Sequence, residues 1–124
     1  MDVYPCLTYR DVGAALKWLA DAFGVKPLVP DSEANEAVEN AAVAHRDGMV
    51  LIASERPEQL HGSHTGQGWV YLAVDDIDAH HRRTKAAGVE VLNDPHAGPG
   101  GMRGYSARDL EGNIWTFGTA RPTP

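Results

Sequence analysis

The feature that most constrains this chain is that it repeats itself. Asp11-Val12 returns as Asp76-Ile77 at an offset of 65 residues. Gly24-Val25 with Leu28 returns as Gly88-Val89 with Leu92 at an offset of 64, and Asp47-Gly48 returns as Glu111-Gly112, again at 64. Each pair marks the same kind of punctuation. An Asp before an apolar periodic run is a helix N-cap, because its carboxylate accepts from N–H groups left free in the first turn. A Gly after such a run stops the helix in the left-handed conformation without strain. An acidic residue followed by Gly between two apolar runs is a hairpin turn. At 124 residues the two halves have room for one core, so the repeat predicts a single domain built from a duplicated unit.

The stretches between these marks predict the elements. Val3 to Tyr9 reads as a buried strand, followed by a helix whose apolar face is Val12, Ala15, Leu16, Leu19, Ala22 and Phe23 and which stops at Gly24. Lys26 to Val29 is a short strand that Pro27 and Pro30 hold to a sheet edge. Asp31 to Asn40 is an acidic loop running into a strand near Glu39 to His45, and Met49 to Ser54 follows the turn as a strand. Glu55 to Gln67 is a connector. The pattern then restarts with a strand over Trp69 to Val74, a helix capped by Asp75-Asp76 and ending at Gly88, and a strand over Val89 to Leu92. A Gly/Pro-rich loop covers Asn93 to Arg103, and two strands, Gly104 to Asp109 and Asn113 to Gly118, flank the turn at Glu111-Gly112. The fold class is therefore α+β: two βαβββ units, the first over about 1–54 and the second over about 68–120, joined by a connector at 55–67.

Charge and cysteine content exclude several function classes. Seventeen acidic against 11 basic residues give a net charge of −6, the wrong sign for a surface that neutralises phosphates, so no nucleic-acid partner is expected. A charged ligand would be cationic. The lone Cys6 cannot close an intrachain disulfide, and no apolar run approaches the roughly 18 residues of a membrane helix. The N-terminus has neither a basic start nor an apolar h-region, so a cytoplasmic protein without a membrane partner is expected.

The segment Tyr105-Ser106-Ala107-Arg108-Asp109-Leu110-Glu111-Gly112-Asn113-Ile114-Trp115-Thr116-Phe117 resembles the Arg-Asp-Pro-x-Gly-Asn-x-Trp-Glu hairpin of the vicinal oxygen chelate superfamily, which holds glyoxalases, extradiol dioxygenases and bleomycin-resistance proteins. Val74-Asp75-Asp76-Ile77-Asp78-Ala79 with Lys85-Ala86-Ala87-Gly88-Val89 is similar to its second strand–helix unit, and Tyr9-Arg10-Asp11 through Trp18-Leu19 to Phe23-Gly24 to its first. The resemblance implies a curved mixed sheet with a concave cup, helices on the convex side, and a homodimer in which the first unit of one chain faces the second unit of the other. It also implies four inward-facing metal positions, which fall at Tyr4, Ile52, Trp69 and Thr116. A catalytic divalent ion needs three or more converging N/O ligands, and these residues do not supply them, so no metal and no cofactor are expected. Leu110 in place of the turn proline is a smaller departure.

Strand alternation sorts the remaining residues by face. Tyr4, Cys6 and Thr8, Val50, Ile52 and Ser54, Trp69, Tyr71 and Ala73, and Ile114, Thr116 and Gly118 would share the concave side. Leu7, Tyr9, Met49, Leu51, Val70, Leu72, Val74, Trp115 and Phe117 would face the helices. Stacking between Tyr4, Trp69 and Tyr71 would suit a planar aromatic ligand, and a cationic one would gain further from the ring faces. Met102, in a loop that could close over the site, and Tyr105 are further contacts. The expected ligand-binding set is thus Tyr4, Cys6, Ile52, Trp69, Tyr71, Met102, Tyr105 and Thr116. Cys6 is read as a small buried hydrophobe rather than a reactive thiol.

Histidines offer little more. His61-x-x-His64 lies in the connector without a third ligand near it in sequence. Adjacent His80 and His81 diverge by about 100° on a helix and cannot share an ion, and His81 half-packs against the sheet. The expected function is metal-independent sequestration of a planar aromatic small molecule such as an antibiotic. The alternative is a glyoxalase- or lyase-like enzyme using a cluster drawn from His45, His61, His64 or His96 with Glu39 or Glu111.

Overall fold

The computed structural model describes residues 3–29, 40–55, 65–98 and 101–122. Residues 31–39 of the expected acidic loop, the His61/His64 pair and Pro99-Gly100 lie outside them. The elements are β1 (Cys6–Tyr9), α1 (Val12–Phe23), β2 (Lys26–Leu28), β3 (Asn40–His45), β4 (Gly48–Ser54), β5 (Trp69–Ala73), α2 (Ile77–Ala86), β6 (Glu90–Val91), β7 (His96–Ala97), β8 (Arg103–Arg108) and β9 (Ile114–Gly118). They form two mixed sheets, ordered β1-β4-β3-β2 and β5-β9-β8-β6, with β7 added against β8. β1 runs parallel to β4 and β5 parallel to β9, while the other pairs are antiparallel. Each unit is thus βαβββ, and β7 is an addition that the Gly/Pro content of the 93–103 stretch concealed.

The caps act as their residue types dictate. Asp11 accepts from Ala14 N at 3.0 Å, and Asp76 accepts from Ala79 N at the same distance. Gly24 ends α1 at φ 77°, a conformation that disfavours any side chain. A Cβ there would also sit 2.6 Å from Arg83 Nη1, so the missing side chain admits a guanidinium from α2. α1 buries Val12, Ala15, Leu16, Leu19, Ala22 and Phe23 against the sheets. Beneath it lie Leu7, Tyr9, Val43, Val50, Ile52, Leu72, Trp115 and Phe117, continuous across both units.

Ile52 corrects the face assignment of β4. It is fully buried, whereas Leu51 is 38% exposed. The reason is the turn: His45 pairs with Gly48, so Arg46-Asp47 forms a two-residue hairpin loop, with Arg46 at φ 57°. Gly48 is the first residue of β4 rather than part of the turn. In the second unit Arg108 pairs with Ile114 across a five-residue loop, 109–113. The 64-residue match between the two acidic-Gly pairs therefore joins unlike turns. The ladders keep the offset of 65 instead, Leu7↔Ile52 in one unit and Leu72↔Phe117 in the other.

The hairpin loop that carries the family resemblance has a structural task. Buried Asp109 accepts from Glu111 N and Asn113 N at 3.0 Å, from Trp115 Nε1 at 2.9 Å and from Tyr9 Oη. Burial first, then the Asp109 charge, pushes the Tyr9 phenol far above its ordinary pKa, so it remains a donor. Asn113 accepts from Gly68 N at 2.7 Å and donates to Thr8 O at 3.3 Å. Glu111 accepts from Arg10 N and Asp11 N at 2.7 and 3.0 Å. One loop thereby ties the second unit to the end of β1 and the start of α1.

Candidate functional site

The second sheet has a concave face laid out by its register. Trp69, Ile114 and Arg108 form one cross-strand row, Tyr71, Thr116 and Ser106 the next, and Ala73, Gly118 and Gly104 the third. The glycine row is a shallow trough. Tyr71 and Met102 lie in it: a Cβ on Gly118 would meet Tyr71 Oη at 2.7 Å and Met102 Cε at 3.2 Å. Tyr71 Oη donates to Ala120 O at 2.6 Å, which fixes its ring across the trough. Partial burial keeps this phenol above its ordinary pKa.

Trp69 dominates the face. The residue is 73% exposed. It is nonetheless fixed, because Nε1 donates to Thr116 Oγ1 at 2.7 Å, and Thr116 Oγ1 lies 2.7 Å from Ser106 Oγ. Trp69, Tyr71, Met102 and Thr116 of the expected set thus come together on one face. Ser106 is the member that residue-by-residue reading missed; pairing the strands on either side of the 109–113 loop places it opposite Thr116.

Tyr4 and Cys6 lie on the first unit, with Tyr4 43% exposed just before β1. Cys6 registers with exposed Leu51, and Leu51 with Ala42 of β3. Leu51 takes the concave position that alternation had assigned to Ile52. Cys6 is exposed rather than buried as expected, because it lies on the outer face of β1 opposite Leu7, yet the surrounding protein removes enough water to raise its thiol pKa, the opposite of an activated thiolate.

Tyr105 is the second correction. It is 1% exposed on the helix side of β8, registered with Phe117. Its hydroxyl bonds His80 Nδ1 at 2.6 Å and Thr84 Oγ1 at 2.9 Å, and burial pushes its pKa up to about 12. His80 Nε2 donates to Phe23 O at 3.0 Å, which turns the Nδ1 edge of the ring to Tyr105. Burial lowers the His80 pKa. His81 also packs inward, edge-on to Tyr105 at 5.0 Å.

The superfamily's metal chemistry does not fit these residues. The four inward positions hold Tyr4, Leu51, Trp69 and Thr116 once the register is corrected. An indole N–H is a donor, Leu51 has no ligand atom, and Thr116 Oγ1 already accepts from Trp69. Among the described residues no group of three or more His, Cys, Asp or Glu side chains converges as an ion site. Of the alternative cluster, His45 Nε2 donates to Ala73 O at 2.6 Å, Glu111 is occupied by backbone N–H groups, and His96 Nδ1 lies 3.1 Å from Asp94 O. His61, His64 and Glu39 lie outside the described residues.

A second concavity, of about 800 Å3, opens at the seam between the units, where the β3–β4 hairpin faces β5. Val43, Val50, Leu72 and Trp115 line its depth, and Tyr71 is shared with the cup. Asp75 accepts from Arg46 and Arg121 at 2.6 Å each beside its mouth. Those two guanidiniums, Arg121 foremost, hold the Asp75 carboxyl below the usual carboxylate range. No described helix is long and apolar enough to cross a membrane.

A family model described as the glyoxalase/bleomycin resistance protein/dioxygenase superfamily matches residues 3–117. No curated protein matches the chain. Among solved structures, TioX from Micromonospora sp. ML1 is 30% identical, with a TM-score of 0.79 over 95% of this chain and 97% of that one. A glyoxalase/bleomycin resistance protein from Catenulispora acidiphila DSM 44928 is 24% identical, with a TM-score of 0.69 over 98% and 99% of the two chains. Lactoylglutathione lyase from Agrobacterium tumefaciens is 21% identical, with a TM-score of 0.72 over 95% and 92%. The last two likenesses concern the fold alone. With duplicated βαβββ units and a family match over nearly its whole length, the chain belongs to the glyoxalase/bleomycin resistance protein/dioxygenase superfamily.

Proposed function

We propose that this protein binds and sequesters a planar aromatic small molecule, such as an antibiotic or related metabolite, without using a metal. The observation that carries this reading is Trp69, a residue 73% exposed and yet with its indole pinned at 2.7 Å to Thr116. Leaving that much aromatic surface in water forgoes burial worth roughly 1.5–3 kcal/mol, and holding it rigid prepares a stacking platform. Tyr71 and Met102 extend the platform beside it. The net charge of −6 favours a cationic ligand over an anionic one.

A second copy of the chain completes the cup. Tyr4, Cys6 and Leu51 on the first unit form an open apolar surface of their own. In a symmetric homodimer that surface covers the platform of the partner, giving two ligand sites. Dissociation of the dimer then abolishes binding.

The test is a fluorescence titration of the purified protein with planar aromatic antibiotics, with and without chelator. Trp115 is buried, so exposed Trp69 should respond most strongly to a stacked ligand. Saturable quenching that survives chelator is the expected result. Stoichiometric divalent metal in the purified protein, required for turnover, would overturn the reading in favour of a glyoxalase- or lyase-like enzyme.

A further inference from the structure

We infer that the ligand of this cup carries a hydrogen-bond acceptor, a ring carbonyl or its equivalent, directed at the Ser106–Thr116 hydroxyl pair. The inference rests on the cup reading above and narrows its ligand class. Three donors meet at this point: Trp69 Nε1–H and the two hydroxyls. The indole N–H is spent on Thr116 Oγ1 at 2.7 Å, and one hydroxyl proton is spent between Ser106 Oγ and Thr116 Oγ1, also 2.7 Å apart. If Ser106 donates, the Thr116 proton is left over; if Thr116 donates, the Ser106 proton is left over. In both arrangements one O–H has no protein acceptor among the described residues.

Both side chains are half-buried on the concave face, next to the indole and within reach of solvent. A stacked ligand that covers this point shuts solvent out. A ligand without an acceptor leaves the O–H desolvated and unpaired, whereas a carbonyl in its plane restores the bond. Tyr71 cannot substitute, because its hydroxyl proton is committed to Ala120 O at 2.6 Å. The platform therefore selects shape through Trp69 and chemistry through one donor.

The probes are 9-fluorenone and fluorene, planar tricycles that differ by one carbonyl. Calorimetric titration in chelator should show fluorenone binding about tenfold tighter, equivalent to about 1.4 kcal/mol. The Ser106→Ala/Thr116→Val double variant should bind the two probes equally, with the circular dichroism spectrum of the parent. A folding-independent readout is the carbonyl infrared band of bound fluorenone, which should lie below its position in an apolar solvent. Equal binding of both probes by the parent protein, or an unshifted carbonyl band, would overturn the inference while leaving the cup intact. Failure of both probes to bind would overturn the cup reading itself, and the inference with it.

Discussion

The two units share a chain path but not a physical role. α1 buries six residues and has no acidic residue in its first turn and no basic residue in its last. α2 buries only Ile77 and Thr84 but places Asp78 in its first turn and Arg83 and Lys85 in its last, matching its dipole. The difference is reciprocal. Gly24 N closes the last turn of α1 on Ala20 O at 3.1 Å, and side chains of α2 serve this end of the helix: Arg83 donates to Ala20 O at 3.2 Å and Asp21 O at 3.5 Å, Thr84 to Ala22 O at 3.4 Å and His80 to Phe23 O at 3.0 Å. The first unit supplies the apolar helix that makes the core. The second supplies the polar helix that caps it and the sheet face that carries the candidate site. Duplication gave two copies of one shape, and the copies divided the work.

The largest effect should come from the core under that division. Trp115→Ala should destabilise the protein by about 3–5 kcal/mol in denaturant melts, because it empties a large buried volume and leaves Asp109 short of a donor. Next comes the register of the first unit. Ile52→Ala should cost about 2–5 kcal/mol, while Leu51→Ala should stay within about 0.5 kcal/mol. The reverse order would restore the alternation read from the turn. A smaller effect belongs to the cap between the helices: Arg83→Met should lose roughly 0.3–1 kcal/mol, more at low salt than at high.

The pH dependence is the most delicate probe of that helix contact. The His80 pKa is lowered in the fold, so in the window between its folded value and the ordinary 6.5 the unfolded chain binds the proton and the native one does not. Stability is complete above pH 6.5 and falls as pH drops through that window. Thermal melts from pH 7.5 to 5 should show this decline, and His80→Gln should flatten it. An unchanged decline in the variant would assign the proton to another group.

Much of this division was legible in the sequence where a single residue type fixes a local geometry. Asp11, Asp76 and Gly24 could be read alone, because caps depend on neighbours within one turn. The six-residue face of α1 could be read from its period. Trp69, Tyr71 and Thr116 fell on the expected face because β5 and β9 are regular strands between clear boundaries. Ile52 was misplaced because the face of a strand inverts with one residue of register, and the hairpin used Arg46-Asp47 at a positive φ where Asp47-Gly48 looked the better turn. Tyr105 was misplaced for a different reason: its partners His80 and Thr84 sit on a helix 21 to 25 residues away, and no spacing rule announces that contact. Ser106 needed strand pairing across a five-residue loop before its hydroxyl could be set beside Thr116.

The second unit keeps one tryptophan for the core and, in the proposed function, another for a ligand, and this is the sharpest form of the division. It is tested most directly by measuring stability and planar-aromatic binding together in Trp69→Ala. The variant should melt within about 1 kcal/mol of the parent and lose saturable binding in the presence of chelator. A variant that loses several kcal/mol, or one that binds as the parent does, would contradict it.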